Sequence, residues 1–186
     1  MANTANVYID GFNLYYRCVK GTPYKWLDVG RLAALLLPKG IAVRRIRYFT
    51  ARVKPLPSNP DAPVNQQVYL RALRTIPTLT ITYGHFLSNA VNMPLANPTP
   101  GGPRFARVIR TDEKGNDSDL AEPVRLVKQE FGIRIGITLP STGRPSVSLR
   151  NHADFVKPIR TGVLAASQFP PVLTDATGTF SKPRTW

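Results

Sequence analysis

The sequence predicts an α/β fold built on a mostly parallel sheet, and three observations carry that expectation. Short apolar runs of strand character alternate with helical periodicities along the chain, the pattern of repeated strand–helix–strand units. The length of 186 residues suits one domain, whose folding would bury roughly two-thirds of the unfolded chain's surface. A hydrophobic share of 42% is that of a globular protein.

The elements follow in order. Ala5 to Ile9 is a short apolar run that ends at Asp10-Gly11, a strand entering a turn with a carboxylate at its end. Asp28 caps a helix with an apolar face of Leu32, Leu35 and Leu36, which Pro38 and Gly40 stop. Ile41 to Thr50 is a second strand, rich in β-branched and aromatic residues. A proline-rich loop, Ala51 to Pro63, leads into a helix near Asp61, in which Val64, Val68, Leu73 and Ile76 recur at helical spacing, widened by Tyr69 and Leu70. Leu79 to Tyr83 alternates as a third strand. Gly84 to Pro103 is read as a long irregular loop, and Phe105 to Ile109 as a strand or hairpin arm. Leu120, Val124, Val127 and Phe131 mark a helix beginning near Ser118 or Asp119, with Pro123 in its first turn. Ile133 to Leu139 and Phe155 to Ile159 are strands around a short helix at Ser146 to Ala153. The domain is expected to span residues 1–160, with 161–186 as a tail on its surface.

Charge is the strongest compositional signal. Lys and Arg number 25 against 11 Asp and Glu, a net of +14, which favours polyanions, nucleic acid first and an anionic membrane second. The acids are clustered: Asp112 to Glu122 holds five of them and one lysine. That island reads either as a solvated acidic turn opening a helix or as a carboxylate cluster for a divalent metal. Ligands of parallel sheets bind at the carboxyl ends of the strands, where both Asp10 and the island would lie. Arg44, Arg45, Arg47, Arg52 and Lys54, and likewise Arg104, Arg107 and Arg110, either track a phosphate backbone or serve solubility, with Tyr48 and Phe49 near the first set for stacking. His85 is more readily a structural group than a general base. The single cysteine, Cys18, rules out a disulfide framework. No apolar run reaches membrane-spanning length, and MANTANVYIDGF lacks a signal-peptide pattern, so a cytoplasmic protein is expected.

Three stretches, VYIDGFNLYYR at 7–17, TDEKGNDSDLAEPVRLV at 111–127 and GVLAASQFP at 162–170, resemble NYN-domain proteins, the bacterial branch of the PIN-like nucleases. The resemblance implies a PIN-like three-layer sandwich with a mostly parallel central sheet. It implies metal-dependent endoribonuclease activity at the sheet's carboxyl edge, with Asp10, Asp117 and Asp119 as catalytic and metal-binding carboxylates for Mg²⁺ or Mn²⁺. RNA would be held by Asn13, Lys114, Arg44, Arg45 and Arg47. In such a mechanism the metal lowers the pKa of a bound water and offsets charge on the phosphoryl oxygens. This chain departs from the family pattern at one place. The family's K-G-x-D and N-D-S-D stations are separated by a helix and a strand, whereas here both fall on Lys114 to Asp119. A unit on the order of 25 residues is missing, at usual element lengths. The alternative expectation is therefore a catalytically impaired or inactive nucleic-acid-binding member of that family.

Overall fold

The computed structural model describes residues 3–55, 57, 59–84, 87–94, 102, 104–112, 121–140 and 147–186. It is a mixed α/β structure with small, mostly parallel sheets. Strand β1 (Asn3–Asp10) pairs in parallel with β2 (Ile41–Thr50), and β2 with β3 (Leu79–Tyr83), giving the order β1-β2-β3. A second parallel pair joins β6 (Gly136–Pro140) to β7 (Phe155–Ile159), and no ladder among the described residues links it to the first sheet. Among the described residues the expected single sheet is thus divided in two.

Two helices cover one face of the first sheet. Asp28 caps α2 (Val29–Leu36) by accepting a hydrogen bond from the backbone N–H of Arg31 at 3.0 Å. Gly40, at φ +85°, takes the left-handed conformation that turns the chain into β2. Helix α2 buries Val29, Leu32 and Ala33; Leu35, expected on that face, is half exposed. Helix α3 (Ala62–Arg74) buries Tyr69, Leu70, Ala72 and Leu73, whereas Val64 faces solvent in its first turn. A buried leucine such as Leu70 or Leu73 contributes about 2 kcal/mol by leaving water. With Ile46 and Tyr48 of β2 these residues make the core.

Part of Gly84 to Pro103 is not the irregular loop its composition indicates. Strand β4 (Leu87–Pro94) pairs antiparallel with β5 (Phe105–Asp112) from Leu87↔Asp112 to Pro94↔Phe105. The strand character resides in FARVIRTD, and pairing with it recruits a neighbour of weak intrinsic preference. Helix α4 (Ala121–Phe131) and α5 (Val147–His152) flank β6. The Asp154 carboxylate accepts from Lys128 Nζ at 2.8 Å and from the backbone N–H of Ile135 at 2.7 Å, fixing α4 against the start of β7. Among the described residues no helix is long and apolar enough to cross a membrane.

The last residues carry regular structure that their sequence did not announce: α6 (Thr161–Ala166) and a hairpin of β8 (Val172–Asp175) and β9 (Gly178–Ser181). Leu164 and Phe169 enter the core. Arg71 of α3 grips the hairpin in a bidentate pair with Asp175, at 2.7 and 2.8 Å. It also donates to the carbonyl of Gly178, and its guanidinium lies 4.1 Å from the centre of the Phe180 ring.

At the end of β1, Gly11 lies directly on the Tyr48 ring. A Cβ there would come within 2.5 Å of the ring, which is itself buried and cannot swing away. Gly11→Ala is expected to destabilise the fold by about 2 kcal/mol, as overpacking does, measured as a lower midpoint in urea.

The Arg71 guanidinium, and next the Thr177 hydroxyl, hold the Asp175 carboxyl well below the usual carboxylate range. The stabilisation is therefore present above the ordinary aspartate pKa of about 3.9 and is lost as pH falls through the depressed folded value. Thermal melts from pH 7 to pH 2 should show Asp175→Asn with a lower Tm at pH 7 and a shallower acid decline than the parent.

Candidate functional site

The motif D-G-x-N has a direct structural reading. Asp10 ends β1 and caps helix α1 (Gly11–Leu14): Oδ1 accepts from the backbone N–H groups of Phe12 and Asn13, each at 3.0 Å. Asn13 returns its side-chain amide to Oδ2 at 2.7 Å. Three acceptor positions of the carboxylate are thus engaged in holding the turn, and a glycine is required between the two residues by the Tyr48 ring. Burial, and then the nearby Asp10 charge, push the Tyr48 hydroxyl well above its ordinary pKa, so it stays a neutral phenol.

Helix α1 continues into a π-helical turn, Tyr15–Val19, a geometry frequent at functional sites. The turn carries a cluster of aromatic side chains. Phe12 stacks on Tyr16 at 6.3 Å, Tyr15 meets Tyr16 edge-on at 5.2 Å, and Lys20 lies over the Tyr16 ring. The same turn directs Arg17 and Cys18 into a cleft of about 220 Å³. Thr22 and Tyr24 supply its next wall, Pro140 and Ile159 at the carboxyl ends of β6 and β7 its floor, and Thr161 and Leu164 of α6 the far side. The Thr22 hydroxyl donates to the Val19 carbonyl at 2.8 Å and accepts from the Tyr24 N–H at 3.2 Å, so this wall is ordered locally.

The cleft sits where ligands of parallel sheets bind. Its chemistry is one guanidinium, three hydroxyls and a thiol around apolar surface. Burial pushes the Cys18 thiol up to about 11, with Arg17 pulling the other way, so it is protonated at neutral pH and is no nucleophile. A wider groove between α3 and the C-terminal hairpin is lined by Gln67, Arg71, Arg74 and Asp175, but Arg71 and Asp175 there are already committed to each other.

Of the residues singled out in the sequence, Asp10 and Asn13 are in contact. Lys114, Asp117, Asp119 and His85 lie outside the described residues. Arg44, Arg45 and Arg47 are exposed on the first sheet rather than at its carboxyl edge. Among the described residues no three His, Cys, Asp or Glu side chains gather as metal ligands. The cleft itself escaped sequence reading. Its residues come from three separate stretches, 17–24, 140 and 159–164, and a single π-helical turn is too short to show a periodicity.

No family model matches the chain. It is 26% identical to a 6-hydroxy-3-succinoylpyridine 3-monooxygenase of Pseudomonas putida, over 97% of this chain and 74% of that protein. The fold is similar to a crystal structure of a protein of unknown function from Vibrio parahaemolyticus, with a TM-score of 0.51 and 14% identity, covering 86% of this chain and 94% of that one. The first comparison overturns the expected ribonuclease activity and, with it, the hydrolase chemistry and the inactive nucleic-acid-binding alternative. A relative aligned across nearly the whole chain is an oxidoreductase. The Mg²⁺ or Mn²⁺ cofactor is corrected on the same ground, since a monooxygenase transfers oxygen with electrons from a reductant instead of activating water for hydrolysis.

Proposed function

We propose that this chain is an oxidoreductase that acts on a small hydroxylated heteroaromatic acid held in the cleft between the π-helical turn and α6. The observation that carries the reading is the alignment, over 97% of the chain, with a monooxygenase named for a hydroxypyridine bearing a succinoyl group. The cleft is chemically suited to such a molecule. Arg17 brings a guanidinium to a carboxylate, Tyr24 and Thr161 offer hydroxyls, and Pro140, Ile159 and Leu164 offer apolar surface to a ring. In a monooxygenation one atom of dioxygen enters the substrate and the other leaves as water, with two electrons and two protons from an external donor. The part of this chain is to bind and orient the ring and to shield it from water, with Asp10 and Asn13 fixing the turn from which Arg17 projects.

The same reading includes an NYN/PIN-like layout shortened by one helix–strand unit, in a cytoplasmic protein. Its support is the D-G-x-N motif at the carboxyl end of β1 and the two groups of parallel strands, which no ladder among the described residues links. The lone, half-buried Cys18 suits a reducing compartment.

The test is oxygen uptake by the purified chain with a hydroxypyridine keto acid, supplied with reduced nicotinamide and flavin as donors. Uptake that depends on substrate is expected. Arg17→Met should raise KM about tenfold or more, the value of a charge-assisted contact of about 1.5 kcal/mol, with a smaller change in kcat. Uptake that ignores the pyridine acid with either donor sinks the proposal.

A further inference from the structure

Gln168 follows α6 and does not line the cleft, yet its side chain joins the cleft's two walls. Its Nε2 donates to the Leu164 carbonyl on the α6 side at 2.8 Å and to the Tyr24 carbonyl on the opposite side at 3.3 Å. The two N–H groups of one amide are thus divided between lining residues of opposing walls. The oxygen of the same amide is buried and finds no hydrogen-bond partner among the described residues. Turning the amide over would not mend this, because the oxygen would then face two carbonyl oxygens. An unpaired buried acceptor is costly, so what holds the side chain in place is the pair of bonds at its nitrogen.

The two bonds differ in weight. The Leu164 carbonyl also accepts from the backbone N–H of Ser167 at 3.1 Å and is satisfied without Gln168. Among the described residues the Tyr24 carbonyl has no other donor. The backbone bonds that join the same two segments, Asp28 to Ser167 and Phe169 to Trp26, end short of Tyr24. Tyr24 is therefore held on both sides by side chains. The Thr22 hydroxyl of its own wall takes its N–H at 3.2 Å, and Gln168 of the other wall takes its carbonyl.

We infer that Gln168 is a positioning residue of the cleft, which holds Tyr24 at a set distance from α6 by bonding across to its carbonyl. It touches no ligand and acts through Tyr24. The role rests on the cleft being the ligand site proposed above, but the tie itself is testable with no ligand present.

Cys18 lines the cleft and is the chain's one cysteine, so its modification by a pyridyl disulfide reports how far the walls stand apart. Gln168→Met keeps the length of the side chain and removes the donor. It should speed modification about fivefold, the factor that one net hydrogen bond supplies, at a temperature where circular dichroism shows the fold intact. Gln168→Glu adds a switch. As the neutral acid it has an O–H to donate and should react like the parent; as the carboxylate it repels both carbonyls and should react like Gln168→Met or faster. The ratio of its rate to the parent's should rise with pH through the glutamate's pKa, ordinarily about 4.3 and raised at this site by burial. Taking the ratio at each pH cancels the titration of the thiol. In oxygen uptake with the hydroxypyridine keto acid, Gln168→Met should raise KM about fivefold and change kcat less. Equal Cys18 rates in the parent and Gln168→Met, a Gln168→Glu ratio that does not move with pH, or an unchanged KM overturns the inference. A parent protein that takes up no oxygen sinks the proposed reaction instead, and the thiol rates still decide whether Gln168 ties the walls.

Discussion

Trp26 lies where two segments 144 residues apart in sequence cross, and the arrangement of the molecule depends on that crossing. Its indole N–H donates to the Pro170 carbonyl at 2.8 Å, and the ring is 1% exposed among Tyr69, Phe169 and Trp186. Backbone bonds run alongside in both directions, from Asp28 N to Ser167 O and from Phe169 N to Trp26 O. A buried indole must place its one polar atom, and only a carbonyl from the distant segment satisfies it here. The result is a fixed distance between the N-terminal turn and α6. Those two elements are the opposing walls of the cleft, so the cleft's width is set by a contact that forms no part of its lining.

A second constraint acts at the end of β1. Asp10, Gly11 and Asn13 satisfy each other locally: a cap, a residue without a side chain, and an amide that closes the ring of bonds. Such a motif is conspicuous in a sequence because every position in it is restricted. The restriction arises as much from the Tyr48 ring beneath as from any chemistry above. A carboxylate at a strand end is therefore compatible with a positioning role, in which the aspartate orients the residues that follow it. Arg17 and Cys18 are the ones that reach the cleft.

The strands and helices of the first 83 residues were legible because their signals are local. Asp28 announces a helix start, Gly40 its end, and Ile41 to Thr50 a strand. The buried faces were less so. Leu35 and Val64 fall at helical spacing yet face outward, because a neighbouring element, not periodicity, decides which stripe is covered. Strand β4 was hidden for a related reason: LSNAVNMP becomes a strand through its partner FARVIRTD. The second parallel pair of strands and the cleft depend on contacts between remote segments, which no single window contains. The resemblance to a nuclease family led toward hydrolysis, and the similarity to a hydroxypyridine monooxygenase replaced it. Motif letters record a turn's geometry more securely than the reaction performed beside it.

The bulge at Arg44 bears on how such a chain can change. Because side chains alternate along a strand, a residue inserted within it would ordinarily turn one half of the strand inside out; Arg44 does not, because it bulges out of the ladder. Val43 pairs with Ala5 and Arg45 with the next residue, Asn6, so deleting Arg44 would leave Ile41, Val43 and Ile46 on the covered face in unbroken alternation. Loss of that single codon would thus be felt on the surface, as a point substitution there would be. The bulge marks a place in β2 where the length of the chain can change without moving the core.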